Sequence, residues 1–291
     1  MLNKFELITP ATLDEAISLL EGRDAYKFVA GGTDVFVDMH AGNEQSVLVD
    51  LKMLTELKGI EKQADGSVKL GALVTLGEIL KNKMLGKEYP ALLDSCAKIG
   101  SVQVRNRGTI GGNICNASPA GDSSGALLVL GALVNIKGSK GERQVPIDKF
   151  FTGVKKTVLK QDEIVTSIVL PPVAKGSSSA YTKLMTRKAM EIAILGAGVN
   201  LTVDEKGICT DAKFSFVSVA PTPIRVYEAE KFLIGKELSE QNIEAVKQIA
   251  YKAAKPKTWR NNEEYVKDMA PVFVEKSINT AMMRIKGELA R

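Results

Sequence analysis

The sequence predicts an α+β protein in three parts, on three observations. An α–β–loop–β pattern fills the first stretch and ends near residue 58. Strand and helix signals mix from 59 to 175, and from 176 to 291 strands come first and helices last, the order of an α+β unit. Pro171-Pro172 followed by Lys175-Gly176-Ser177-Ser178-Ser179 separates the last two parts, because such a run punctuates elements rather than continuing them.

In the first part, Thr12-Leu13-Asp14-Glu15 reads as a capping box. It opens a helix with Ala16, Ile17, Leu19 and Leu20 as its buried stripe and Gly22 as its stop. Lys27 to Ala30 reads as a short buried strand running into Gly31-Gly32, and Val47-Leu48-Val49 as another. The second part offers strands near Ile60 and over Val68 to Ala72, then a second capping box at Thr75-Leu76-Gly77-Glu78. A helix runs from Pro90, at its first turn, to Ile99, with Gly100 behind it. Helix over Gly125 to Leu130 and strands over Leu133 to Lys137 and Glu163 to Leu170 complete this part. The third part reads as strands at Tyr181 to Thr186, Ile192 to Val203 and Lys213 to Val219, with helices over about 239–254 and 263–286. Pro271 should kink or split the last of these.

Composition excludes several classes of function. With 291 residues, 45% of them hydrophobic and 25% charged, the chain can build real cores. The net charge of +5 is spread along the chain and aromatics are only 5%, so no basic stripe with interleaved aromatics suggests a nucleic-acid partner. No apolar run reaches the length of a membrane span, and Met1 to Phe5 begins no secretory signal. Three scattered cysteines, Cys96, Cys115 and Cys209, form neither a C-x-x-C pair nor an iron–sulfur quartet; free thiols fit a reducing cytoplasm. A single histidine, His40, leaves no histidine metal site, so no metal ligand is expected, and no residue is assigned a catalytic role.

Two glycine-dense segments hold the chemistry. A strand ending in Gly31-Gly32 frees backbone amides to face a ligand, and Thr33 adds a hydroxyl. Asp34 would repel phosphate, so it is expected to accept bonds from loop amides or cap the turn. Taken alone, Val29 to Val35 reads equally well as a plain Gly-Gly turn with an Asx motif. The second segment runs from Arg105 to Asp122. Its amides after Thr109 can wrap phosphate, Asn113 can bond both ligand and loop, and Asp122 can accept bonds from ribityl or ribose hydroxyls. Arg105 and Arg107 read as solvated or structural, since backbone amides suffice for phosphate. Gly111-Gly112 alone could be a β-bulge or tight corner. Two such segments in one chain suggest a diphosphate-containing cofactor held from two sides.

Taken together, Ala30-Gly31-Gly32-Thr33-Asp34, Gln103-Val104-Arg105-Asn106, Thr109 to Ile114 and Ser118-Pro119-Ala120-Gly121-Asp122 resemble the FAD-binding subunit of molybdenum hydroxylases. Those are the xanthine dehydrogenase and carbon monoxide dehydrogenase relatives. Lys183 to Ile192 and Ala220-Pro221-Thr222-Pro223-Ile224-Arg225 resemble that subunit's C-terminal domain. The resemblance implies a two-subdomain FAD-binding fold of the vanillyl-alcohol-oxidase type, over 1–58 and 59–175, followed by a C-terminal α+β domain over 176–291. It implies that Val29, Ala30, Gly31, Gly32, Thr33, Asp34 and Val35 line the FAD diphosphate. Thr109, Gly112, Asn113 and Cys115 would form the second wall, and Asp122 would bind the cofactor's polar chain. Ile99 and Gly100 would line the cofactor, Ile164 and Val165 the adenine end, and Lys183 would stand near the flavin. His40 lies outside the motifs, so FAD is expected to be non-covalent; Trp259 and Tyr265 are expected in helix packing or subunit contacts.

The same resemblance implies a cytoplasmic oxidoreductase subunit that is xanthine dehydrogenase-like. Electrons would arrive from [2Fe–2S] clusters on an iron–sulfur partner and leave through FAD to NAD+. Molybdopterin would sit on a further partner subunit, and the assembly would be a dimer of heterotrimers. Two alternatives stand beside this: a free-standing flavin oxidase of the same fold, and a non-enzymatic nucleotide-binding module.

Overall fold

The computed structural model describes residues 4–19, 25–257 and 262–289. Three larger sheets organise them, beside a two-stranded ribbon of Phe151–Gly153 and Lys156–Thr157. Glu6–Ile8, Val47–Asp50 and Lys27–Val29 form a parallel sheet with Val47–Asp50 in the centre. Ile60–Lys62, Val68–Gly71, Ile164–Leu170, Leu133–Gly138 and Gly141–Pro146 lie side by side as an antiparallel sheet. Ser177–Leu184, Leu195–Val203, Cys209–Val217 and Ile224–Arg225 form the third, also antiparallel. The helices Glu240–Ala253 and Glu263–Lys286 close the chain, and Val266, Ala270, Val274 and Ile278 of the last pack into the core of the third sheet.

The helix Asp122–Leu130 joins the second and third parts. All nine of its residues are buried, as expected of a helix with apolar or small residues on every face. Gly125 lets it approach the third sheet closely: a Cβ there would come within 2.8 Å of the Tyr181 ring. Ser215 donates its hydroxyl to the Gly125 carbonyl at 2.7 Å. A second tie is ionic. Arg284, near the end of the last helix, donates to both oxygens of Asp94 at 2.7 and 2.9 Å, and the Tyr181 N–H donates to the same carboxylate. An Asp94→Ala variant removes the acceptor that Arg284 and the Tyr181 N–H share in this part-buried place, although Arg284 keeps the Ser179 carbonyl at 2.8 Å. It should cost about 2 kcal/mol in urea unfolding; a loss below ~0.5 kcal/mol would mean that water replaces the carboxylate there.

Local signals account for many boundaries. Thr75 and Glu78 form a complete capping box at the helix Leu76–Lys81. Thr12 caps Leu13–Ser18, but the Glu15 carboxylate reaches the N–H of Ala11 rather than that of Thr12. Leu19 is only half-buried, and Leu20 and Gly22 lie outside the described residues, as does Trp259. The helix from Pro90 ends at Ala97, two residues early, and Gly100 takes the left-handed conformation with φ +52°.

Other expectations fail for physical reasons. The strand expected from Tyr181 already begins at Ser177, inside the run read as punctuation. Its serines are satisfied within the fold: the Ser179 hydroxyl accepts from the Ala91 N–H, and Ser178 and Ser179 are buried. Pro271 does not split the last helix, which runs unbroken over 24 residues. Its buried face on the third sheet holds it together across the missing N–H. Three short helices had no legible periodicity: Val35–His40, Val102–Arg105 and Ile110–Cys115. Tyr265 is exposed on the last helix.

Candidate functional site

Both glycine segments open onto one cleft of about 700 Å³, within the range of small-molecule cofactor sites. The first segment enters it from the strand Lys27–Val29 and turns at Gly32, where φ is +74°. Gly31 is held against the second segment. A Cβ at Gly31 would stand 2.0 Å from the Arg107 carbonyl oxygen, so only glycine lets these two backbones meet. The helix Val35–His40 follows at once. Among the described residues, the N–H groups of residues 31–35 have no hydrogen-bond acceptor. A row of unanswered amides on a cleft wall is what a diphosphate needs.

The second segment is built differently from expectation. Gly111-Gly112 is neither bulge nor corner but the first turn of the helix Ile110–Cys115, capped by the Thr109 hydroxyl. The N–H groups of Ile110 and Gly111 donate to the Val74 and Ala72 carbonyls, that of Gly112 to Thr109 Oγ1 and that of Asn113 to the Thr109 carbonyl. The amides after Thr109 are therefore occupied and do not form a second phosphate cradle. What the segment offers is a flat, close wall. Gly111 is pressed onto Ala72, where a Cβ would lie 2.6 Å from the carbonyl oxygen, and Gly112 faces Ala30. Asn113 Oδ1 accepts from the Ser123 hydroxyl at 2.6 Å, which fixes its amide at the wall. Arg105 donates to the carbonyls of Ile99 and Gly100, a structural task.

Most of the residues expected at the cofactor do line this cleft. Ala30, Gly31, Gly32, Thr33, Asp34 and Val35 form one side, and Thr109, Gly112, Asn113 and Cys115 the other. Ile99, Gly100, Asp122, Ile164 and Val165 also reach it. Asp34 makes no side-chain capping bond, although it stands at the helix start. Cys115 is exposed and lines the cleft. The protein packed around it pushes its thiol up to about 12, so it remains a thiol at neutral pH.

Two expected residues are elsewhere. Val29 is 2% exposed and packs with Met39 and Leu48 beneath the first loop, because alternation along the strand turns it inward. Lys183 does not line the cleft; its side chain is 1% exposed. Its ammonium donates to Asp122 Oδ2 at 2.8 Å and to the carbonyls of Lys98 and Glu191 at 2.9 and 2.8 Å. Tyr181 donates its hydroxyl to the other oxygen of Asp122 at 2.8 Å. Both carboxylate oxygens are thus engaged by the protein, which leaves Asp122 a wall residue rather than an open acceptor. Burial lifts the Asp122 carboxyl above its usual range while Lys183 and Tyr181 pull it back; burial beside Asp122 drives the Tyr181 hydroxyl well up.

The sequence reading missed part of the lining: Tyr26, Phe28, Leu57, Leu159 and Ile192. Tyr26 and Phe28 were legible in one respect, since alternation along Tyr26 to Val29 sets them on one face. The others come from separate loops that only the fold brings together. No group of His, Cys, Asp or Glu among the described residues is arranged to hold a metal ion. No helix among them is long and apolar enough to cross a membrane.

Comparison with known proteins converges on one family. The profile for the FAD binding domain in molybdopterin dehydrogenase matches residues 3–173, and that for the CO dehydrogenase flavoprotein C-terminal domain matches residues 180–281. The xanthine dehydrogenase FAD-binding subunit of Escherichia coli O157:H7 is 34% identical over 282 residues, covering 96% of each chain. The nicotinate dehydrogenase FAD-subunit of Eubacterium barkeri is 34% identical over 256 residues, covering 85% of each. Among solved structures, a chain of carbon monoxide dehydrogenase from Hydrogenophaga pseudoflava superposes with a TM-score of 0.93 at 29% identity, covering 98% of this chain and 99% of that one.

Proposed function

The chain belongs to the FAD-binding subunits of the molybdenum hydroxylases, and from that premise we propose that it passes electrons from a partner's [2Fe–2S] clusters through non-covalent FAD to NAD+. The observation that supports it most is the row of unanswered N–H groups at residues 31–35 beside the close wall of Gly112. These residues fit a diphosphate, and the 700 Å³ cleft has room on both sides of it. In this reading residues 31–35 hold the diphosphate and Thr33 adds a hydroxyl. Asn113, Cys115, Ile99 and Gly100 shape the wall, and Ile164 and Val165 close the adenine end. Val29 and Lys183 act from behind, by fixing the loops. FAD, when bound, takes up electrons singly and releases them in pairs, which matches an iron–sulfur donor to a nicotinamide acceptor.

Three cysteines cannot ligate a Cys₄ cluster, so iron–sulfur and molybdopterin chemistry falls to partner subunits in this reading. The relatives support that division, being described as FAD subunits and medium chains of dehydrogenases. A purine is the favoured substrate of the whole complex, in line with the xanthine dehydrogenase relative, and the assembly is a dimer of heterotrimers. The free thiols suit a reducing cytoplasm.

Absorbance tests the proposal. Purified protein should show bands near ~375 and ~450 nm that pass into the supernatant after heat precipitation and bleach on adding NADH. Colourless protein that takes up no added FAD would refute it. Flavin that ignores NADH would remove the nicotinamide step, and activity without copurifying subunits would favour a free-standing oxidase.

A further inference from the structure

One polar atom in the cleft wall has nothing to bond. The Tyr26 hydroxyl oxygen is shut off from solvent and has no hydrogen-bond partner among the described residues. Leaving a buried hydroxyl unpaired costs about 1–3 kcal/mol, so the position is unfavourable unless something completes it. Its ring lines the cleft and stands edge-to-face on Phe28, with centroids 5.3 Å apart and planes at 72°. Both rings pack against the cluster that contains Ile164. Phe28 lies on the strand Lys27–Val29 and Tyr26 just before it, both upstream of the Gly31-Gly32 turn, and Ile192 and Gly100 are contributed by other segments of the lining.

We infer that Tyr26, braced on Phe28, is the residue by which this cleft recognises the adenosine half of a dinucleotide. The inference rests on the FAD reading and extends it. A diphosphate on the amides of residues 31–35 sends its adenosine arm along the strand toward Tyr26 and Phe28. The two rings offer an apolar edge-to-face platform, the kind of surface on which a purine packs. Ribose hydroxyls and purine nitrogens then supply the polar atoms that the fold withholds, and a modest turn of the tyrosine ring brings its hydroxyl onto them. Burial, with the Asp162 charge adding to it, holds the Tyr26 hydroxyl above its ordinary range, so it is protonated and able to donate.

FMN lacks the adenosine arm, which makes the test selective. Binding of FAD and of FMN to the apoprotein is measured by flavin fluorescence quenching for the wild type, Tyr26→Phe and Tyr26→Ala. Thermal midpoints of the apo forms are recorded alongside. Tyr26→Phe should weaken FAD binding about fivefold, the worth of one neutral hydrogen bond, and leave FMN binding unchanged. Its apo midpoint should hold or rise, because an unpaired hydroxyl has been removed. Tyr26→Ala should weaken FAD about tenfold more by deleting the ring platform. Unchanged FAD affinity in Tyr26→Phe would overturn the inference, as would equal losses for FAD and FMN. Wild-type protein that binds neither flavin would instead overturn the FAD reading itself, so the two failures are distinct.

Discussion

A Lys183→Met variant is expected to lose about 3–5 kcal/mol of stability, the range for removing one partner of a buried ion pair. The loss should be larger at pH 8 than at pH 5. Lys183 and Asp122 have side chains 1% and 6% exposed, so water cannot take the place of the missing ammonium. Methionine fills the space but leaves a carboxylate in an apolar setting with only Tyr181 to donate to it. Burial already raises the Asp122 carboxyl, and two of the influences that lower it come from Lys183. Deleting them raises the folded pKa further. Between the unfolded and folded values the native state then holds more protons than the unfolded one, and stability falls as pH rises through that window. Urea unfolding at the two pH values checks this. A loss below ~1 kcal/mol, or an equal loss at both, would mean that the pair is hydrated or that Asp122 is neutral in the wild type. The same variant frees the carbonyls of Lys98 and Glu191, next to Ile99 and Ile192 of the cleft. Through them Lys183 shapes the cleft although it does not touch it.

The way Lys183 was read shows where sequence reasoning stops. A lysine in a strand pattern can be placed near a motif, but not on one side or the other of a wall. Its role depends on Asp122, 61 positions away, and on carbonyls that have no side-chain signature. The glycine loops were legible because glycine marks backbone need: positive φ at Gly32 and close approach at Gly31 and Gly111. Which amides remain free was not legible. Thr109 spends its hydroxyl capping the helix Ile110–Cys115, and Val74 and Ala72 accept from the amides around it. Those partners come from the segment just after the strand Val68–Gly71, 36 and 39 residues upstream of the amides they accept from, so the difference between the two glycine segments exists only in the fold. Short helices escaped for a related reason. Six residues such as Val35 to His40 span under two turns, too few to show a period. The long amphipathic and capped elements, by contrast, announced themselves: the box at Thr75 and the helix starting at Glu263 stand where their residues put them.

Gly31→Ala should separate the FAD-binding function from the general fold more sharply than any other single methyl. The added Cβ meets the Arg107 carbonyl oxygen at 2.0 Å, its carbon at 2.6 Å and Gly108 Cα at 2.9 Å, all backbone atoms that cannot rotate away. The two segments must move apart, and overpacking of this kind costs about 1–3 kcal/mol. The larger effect falls on the amide row. Hydrogen bonds from amides to a charged acceptor are worth about 1.5–3 kcal/mol each, so misplacing two of them weakens FAD binding by roughly two to four orders of magnitude. The protein should purify folded and colourless, with FAD restored only at high concentration. Gly153→Ala is the matched control, because its Cβ meets nothing closer than 3.8 Å; it should stay within ~0.5 kcal/mol of the wild type and keep its flavin. Circular dichroism melts and FAD titration of both variants give the result. If Gly31→Ala retains FAD at wild-type affinity, the free amides of residues 31–35 are not the diphosphate site, and the ligand must be held by the opposite wall.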